Sequence, residues 1–206
     1  EKTSRAMEVL ITSASPVALM FGKILASSVA GIFQIAAIFG SAFISYNINK
    51  SYFETNAVIN TLFNFPASLV GYLLIFFLLG FLIYSFLFGA MASTVSKIED
   101  LSSVVMLIQI IFVAGFVVST NAMTSGDVNS ELMKGLSLFP LTSPMAMLTR
   151  IAMSEVPGLE ILLSVAFLIL ATILIGYIAA KIYRVGVLMY GTKPSFAKII
   201  KAIREN

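Results

Sequence analysis

No histidine and no cysteine occurs in the 206 residues. The chain therefore cannot build a Ser-His or Cys-His dyad, or a zinc or haem site based on histidine. Without cysteine no disulfide is possible. Charge is scarce too: 11% of residues are Asp, Glu, Lys or Arg, roughly half of what soluble domains carry. The net charge of +3 is too small to point to nucleic acid. No GxxxxGK[ST] phosphate loop and no paired carboxylates are present.

What the chain does have is apolar length. Hydrophobic residues make up 59% of it, in runs too long for a soluble core, which predicts an all-α integral membrane domain with four spans. The first covers residues 16–46 and carries one charge, Lys23. At 1.5 Å per residue it measures about 46 Å against a hydrocarbon core of about 30 Å, so it must tilt or protrude. The second, residues 66–95, has no charged residue, and the third is residues 101–119. The fourth, residues 158–183, opens on Glu160, and Lys181 and Arg184 close its other end.

These interiors hold few polar groups. Gln34 in the first span and Gln109 in the third suit a bond to a neighbouring helix or a substrate path. Gly22, Ala26 and Ala30 recur every four residues ahead of Gln34, a spacing that lets another helix approach closely. Packing within one bundle is the plainer expectation for that row. Gly71, Gly80 and Gly89 of the second span are nine apart, which turns the face by about half a circle, so they form no single seam.

The connections differ in character. Residues 47–66 are polar and aromatic, as an interfacial loop is, with a short helix expected over 54–63. Ser96-Lys97-Ile98-Glu99 reads as a capping box, so the second and third spans should join by a tight turn. Lys97 and Glu99 also stand where a soluble partner would touch. Residues 120–157 are the least membrane-like stretch. A short helix is expected from Asp127 to Lys134, closed by Gly135, and a second from Ser143-Pro144 to Ser154. Both are too short to cross, so they lie at the interface or dip in and return, protected by protein. Met145 and Met147 fall here, as flexible filler or as gate lining. Residues 192–206 form a basic amphipathic tail, with Phe196, Ile199 and Ile203 beside Lys198, Lys201 and Arg204.

Four spans return the chain to the side it started from. Ten cations lie on that side: Lys2, Arg5, Lys23, Lys97, Lys181, Arg184, Lys193, Lys198, Lys201 and Arg204; Lys50, Lys134 and Arg150 make three on the other. The bias places both ends in the cytoplasm, in a multi-pass protein of the cell membrane.

The opening 15 residues then gain meaning. On a helix, Arg5, Glu8 and Thr12 share a polar face while Met7, Leu10 and Ile11 share an apolar one. Ser15-Pro16 caps and starts the first span. The order Glu1-Lys2-x-Ser4-Arg5-x-x-Glu8-x-Leu10-Ile11-Thr12-Ser13, then Ser15-Pro16 and Gly22-Lys23, resembles the cytoplasmic segment of type-2 ABC exporter permeases, in particular the sodium-efflux-like branch. The resemblance implies that residues 1–15 are a coupling helix docking on a separate nucleotide-binding ATPase subunit. Glu1, Arg5, Met7, Glu8 and Leu10, with Lys97 and Glu99 of the turn, would then form the ATPase contact. It also implies a re-entrant helical hairpin on the outer side, with Phe139 to Pro144 at its turn, and permeases that pair as dimers. The family places one span, a large external domain and a second span before such a segment, so residues are expected to precede Glu1.

Function follows from this combination. Spans without Asp, Glu, Lys or Arg in their interiors lack the groups that ion-coupled transporters need at membrane depth. Energy should come from ATP and Mg bound by the partner, with no cofactor in this chain. The expected function is the permease subunit of an ABC exporter, not itself an enzyme, set in a lipid bilayer and paired with a second permease. The alternative is a non-transporting scaffold or sensor subunit.

Overall fold

The structure, a computed structural model, describes residues 12–53, 66–95 and 98–188. Among these residues every regular element is helical. Six helices carry the fold: α1 (Pro16–Ile48), α2 (Ala67–Thr94), α3 (Leu101–Ser125), α4 (Glu131–Leu138), α5 (Ser143–Met153) and α6 (Gly158–Leu188). One helical turn, Lys50–Phe53, follows α1, and a 3₁₀ turn, Ile98–Asp100, leads into α3. Residues 1–11 of the expected opening helix over 1–15, the loop helix over 54–63, Ser96, Lys97 and the tail over 192–206 lie outside the described residues.

Helices α1, α2, α3 and α6 are long and apolar enough to cross a membrane. Local chemistry fixes where they start and stop. Ser15 is extended, and its Oγ accepts from the Ala18 N–H at 3.3 Å, so the first turn of α1 is capped and Pro16 loses nothing. Helix α3 continues past the expected Ser119 to Ser125. The reason lies in its hydroxyls: Thr120, Thr124 and Ser125 all donate back to carbonyls of their own helix, which keeps a polar stretch helical. Gly126, at φ 77°, then ends it in the left-handed conformation. Helix α4 differs from expectation as well. It starts at Glu131 after Ser130 and runs through Gly135, which does not close it; the end is extended Phe139, whose N–H still reaches the Gly135 carbonyl at 3.1 Å.

Three clusters stack along the bundle. At one end Met20 and Ile24 of α1 meet Phe86 and Ala90 of α2 and Ala179, Tyr183 and Val187 of α6. In the middle Phe76, Ile83 and Tyr84 of α2 meet Ile108 of α3, Met147 of α5 and Leu168 of α6. At the other end Ala122 of α3 packs on Val128, Met133 and Ala146. This order shows that the start of α1 and the end of α6 lie at one end together with the α2–α3 turn, and that α4 and α5 lie at the opposite end.

The α2–α6 pair makes the most extensive contact. Small residues permit it: Gly176 leaves room for the Phe86 ring, and Gly186 lies against the Ser93 backbone. Where lipid replaces water, such close van der Waals packing holds helices together, because apolar burial alone gives no gain over lipid. The outward faces are correspondingly apolar, with Phe33 77% and Leu107 68% exposed, as lipid-facing side chains must be.

Candidate functional site

The feature that departs from a plain four-helix bundle is the α4–α5 hairpin. Its turn, Phe139 to Thr142, lies between the middle of α2 and the middle of α3. A Cβ on Gly80 of α2 would meet the Cβ and Cγ of Pro144 at 2.8 Å. A Cβ on Gly115 of α3 would meet Cγ2 of Thr142 at 2.9 Å. Two glycines on two spans thus clear the space into which the hairpin tip is wedged.

A broken backbone at membrane depth is tolerated only if its polar groups find partners. Here the exposed carbonyls of the break are answered one by one. Thr142 Oγ1 donates to Leu136 O at 2.7 Å. The Ser143 N–H reaches Phe139 O at 2.8 Å, and Ser143 Oγ reaches Pro140 O at 3.4 Å. Tyr84 Oη of α2 donates to Leu141 O at 2.7 Å, while its ring stands edge-on to Phe112 of α3 at 5.2 Å. One tyrosine therefore ties the hairpin tip to both flanking spans.

The base of the hairpin is held by Arg150. This side chain is 2% exposed. Its Nη2 pairs with Glu160 Oε2 at 2.7 Å, Nη1 donates to Ser137 Oγ at 2.8 Å, and Nε donates to Asn129 Oδ1 at 3.3 Å. Ser164 Oγ of α6 donates to Ser137 O at 2.6 Å. One planar guanidinium thereby fastens α5 to α4, to the loop after α3 and to the first turn of α6, using donors of fixed geometry.

Tyr84→Phe removes one of these bonds and leaves the half-buried Leu141 carbonyl without this donor. The expected loss is about 1–2 kcal/mol, read as an earlier unfolding transition in detergent. An unchanged transition would mean that Leu141 O has found another donor.

The residues singled out by sequence are placed as follows. Glu1, Arg5, Met7, Glu8, Leu10 and Lys97 lie outside the described residues. Glu99 is exposed in the 3₁₀ turn between α2 and α3. Gln34 and Gln109 are exposed on the outward faces of α1 and α3, so neither points into this bundle. Met147 is fully buried against α2 and α6, and Met145 is partly buried. Among the described residues the row Gly22, Ala26 and Ala30 meets no neighbouring helix: Gly22 has nothing within 4 Å of a would-be Cβ, and Ala26 and Ala30 are exposed. The face of α1 that packs is Met20, Ile24 and Ser28, and bulky side chains fill that contact. Gly80, Gly115, Tyr84 and the Arg150 network carry the site without having been singled out. An arginine in an apolar helical turn with a carboxylate ten residues on is a signal that could have drawn attention there, but it does not by itself give the pairing. Among the described residues no three His, Cys, Asp or Glu side chains gather where a metal ion could be held.

Comparison with known proteins adds to this geometry. A family model described as "ABC-2 family transporter protein" matches residues 1–181. The chain is 33% identical over 207 residues to the uncharacterized protein YhaP of Bacillus subtilis, covering 99% of this chain and 49% of that one. It is 31% identical over 206 residues to the uncharacterized protein MJ1024 of Methanocaldococcus jannaschii, covering 98% of this chain and 47% of that one. The chain thus spans about half the length of these relatives. No solved structure matches it.

Proposed function

Since the chain belongs to the ABC-2 family of transporter proteins, we propose that it is the membrane-spanning half of an ABC exporter, driven by ATP and Mg bound in a nucleotide-binding partner subunit. It is a multi-pass membrane protein. The reading beyond that rests on one observation above all, the wedged hairpin. A helical hairpin locked at its base by Arg150 and inserted at its tip between Gly80 and Gly115 is a plug in one half of the bundle. Such a plug has two stable positions, seated or withdrawn, and a machine acting at the opposite end can bias them through α2 and α3.

The charge bias supports a cytoplasmic location for the end that carries Lys181, Arg184 and the segment before Ser15. The hairpin then faces outward and serves as the outer gate. Residues 1–15 meet the ATPase, with Glu99 at the neighbouring turn. The exposed row of Gly22, Ala26, Ala30 and Gln34 supports a second permease, or a further part of a longer one, covering that face of α1. An apolar bundle rich in Phe and Met suits amphipathic or lipid-like cargo better than sodium, since these spans offer no ring of oxygen ligands.

The test is co-purification with a nucleotide-binding subunit, followed by Arg5→Ala and Glu8→Ala. Both variants are expected to keep the permease folded and to lower ATP-driven export severalfold. Unchanged export would remove residues 1–15 from the coupling role. A complex whose ATPase rate ignores every substrate would favour a scaffold or sensor instead.

A further inference from the structure

A groove of about 600 Å³ runs between the start of α1 and the second half of α6. Its volume is within the range of ordinary ligand sites, roughly 300–1,000 Å³. Phe21, Phe86, Ile173 and Tyr177 line it, and Gly176 keeps its floor low. Lys181 and Arg184 stand at one end of it. Lys181 Nζ sits 4.9 Å from the Tyr177 ring, which turns the ammonium toward the groove. Neither cation has an ion-pair partner among the described residues.

We infer that this groove holds an anionic phospholipid, with its phosphate between Lys181 and Arg184 and an acyl chain lying along Tyr177, Ile173 and Phe86 toward Thr172. Three features point to a lipid rather than a free phosphate. The charge is confined to one end of an otherwise apolar trough. From Arg184 to Thr172 the trough follows α6 for about 18 Å by helix rise, close to the roughly 15 Å depth of one leaflet's hydrocarbon. The cations lie near the terminus of a spanning helix, at the level where lipid phosphates sit. The choice of the cytoplasmic leaflet rests on the orientation proposed above; the binding itself does not.

A lipid seated there would touch α1 and α6 together. It would stiffen the junction between the first span and the cytoplasmic end of the last, near the segment proposed to meet the ATPase.

The test is native mass spectrometry of the full chain from micelles containing equal amounts of phosphatidylglycerol and phosphatidylcholine. The expected result is retention of phosphatidylglycerol with about tenfold preference, as two cations near a headgroup provide. Lys181→Gln with Arg184→Gln should abolish the preference. Lys181→Arg with Arg184→Lys should keep it, which separates loss of charge from loss of fold. Lys198→Gln with Lys201→Gln in the tail should also keep it. The inference is overturned if the groove variant still selects phosphatidylglycerol, if the tail variant alone loses it, or if millimolar inorganic phosphate displaces the lipid completely. The micelle has no sidedness, so failure here leaves the proposed orientation standing. That orientation is tested separately by thiol labelling of a cysteine placed at Thr12 in intact cells.

Discussion

Replacing Arg150 by alanine is expected to cost about 3 kcal/mol, near the low end of what breaking a buried ion pair costs. On a chain of this size that lowers the unfolding midpoint by roughly 6–12 °C. The low end applies because Glu160 is 35% exposed and can turn to water when its partner is gone. Ser137 Oγ and Asn129 Oδ1 lose a donor at the same time, and the largest fully buried side chain leaves a cavity. Glu160→Ala acts from the other side. It leaves a guanidinium that is 2% exposed with only neutral acceptors, so its cost is expected to be of the same order. The pair Arg150→Met with Glu160→Gln should recover much of the loss, since an apolar filler of similar length needs no counter-charge. Thermal unfolding of the four proteins in one detergent measures all of this, and the double variant Arg150→Ala with Glu160→Ala closes a double-mutant cycle. If Arg150→Ala unfolds within a degree of the parent, the guanidinium does not hold the hairpin base.

Arg150 also marks the boundary of what the sequence reveals. Counted by position it is one of three cations that the charge bias assigns to the less basic side, and nothing in MAMLTRIAM says that it is the largest fully buried side chain among the described residues. Its partners come from residues 129, 137 and 160, and only the folded hairpin brings them together. Other features were legible because their causes are local. Ser15-Pro16 starts α1 and Pro144 stands in the first turn of α5, since a capping hydroxyl and a proline at the first turn act on their own helix. The four apolar spans are legible because lipid demands them.

The misplaced helix ends have local causes as well, though subtler ones. Threonines and serines at residues 119–125 look like a loop, yet their hydroxyls bond back to the helix and extend it by a turn and a half or so. Small residues were the least legible. Gly22, Ala26 and Ala30 have the right spacing for a seam and face away from this bundle. Gly71, Gly80 and Gly89 share no seam: the first meets nothing, the second meets Pro144 and the third comes within 3.9 Å of Ile24. Spacing identifies a face that permits close approach; it does not say which neighbour takes it.

Gly80→Leu should therefore act on the hairpin rather than on the span that carries it. The added Cβ would fall 2.8 Å from two atoms of the Pro144 ring, whereas carbon atoms rest about 3.5–4.0 Å apart. A proline ring cannot swing away as a flexible side chain does, so the hairpin tip has to back out. Within α2 the change is favourable, because leucine is a better helix former than glycine by roughly 0.5–1 kcal/mol. The span thus stays inserted while the plug loses its seat. The absence of cysteine makes this directly measurable: a single cysteine at Leu141, at the turn, reports exposure to a membrane-impermeant maleimide. Labelling is expected to rise about tenfold, the shift produced by roughly 1.4 kcal/mol of local opening. Gly115→Leu, facing Thr142 from the other span, should give the same result by an independent contact. Trimming the obstacle tests the mechanism further: Pro144→Ala should undo part of the effect of the smaller change Gly80→Ala, and should do nothing for Gly115→Leu. If labelling of Leu141→Cys is unaffected by either glycine substitution, the tip is not seated between α2 and α3, and the outer-gate reading of the hairpin fails with it.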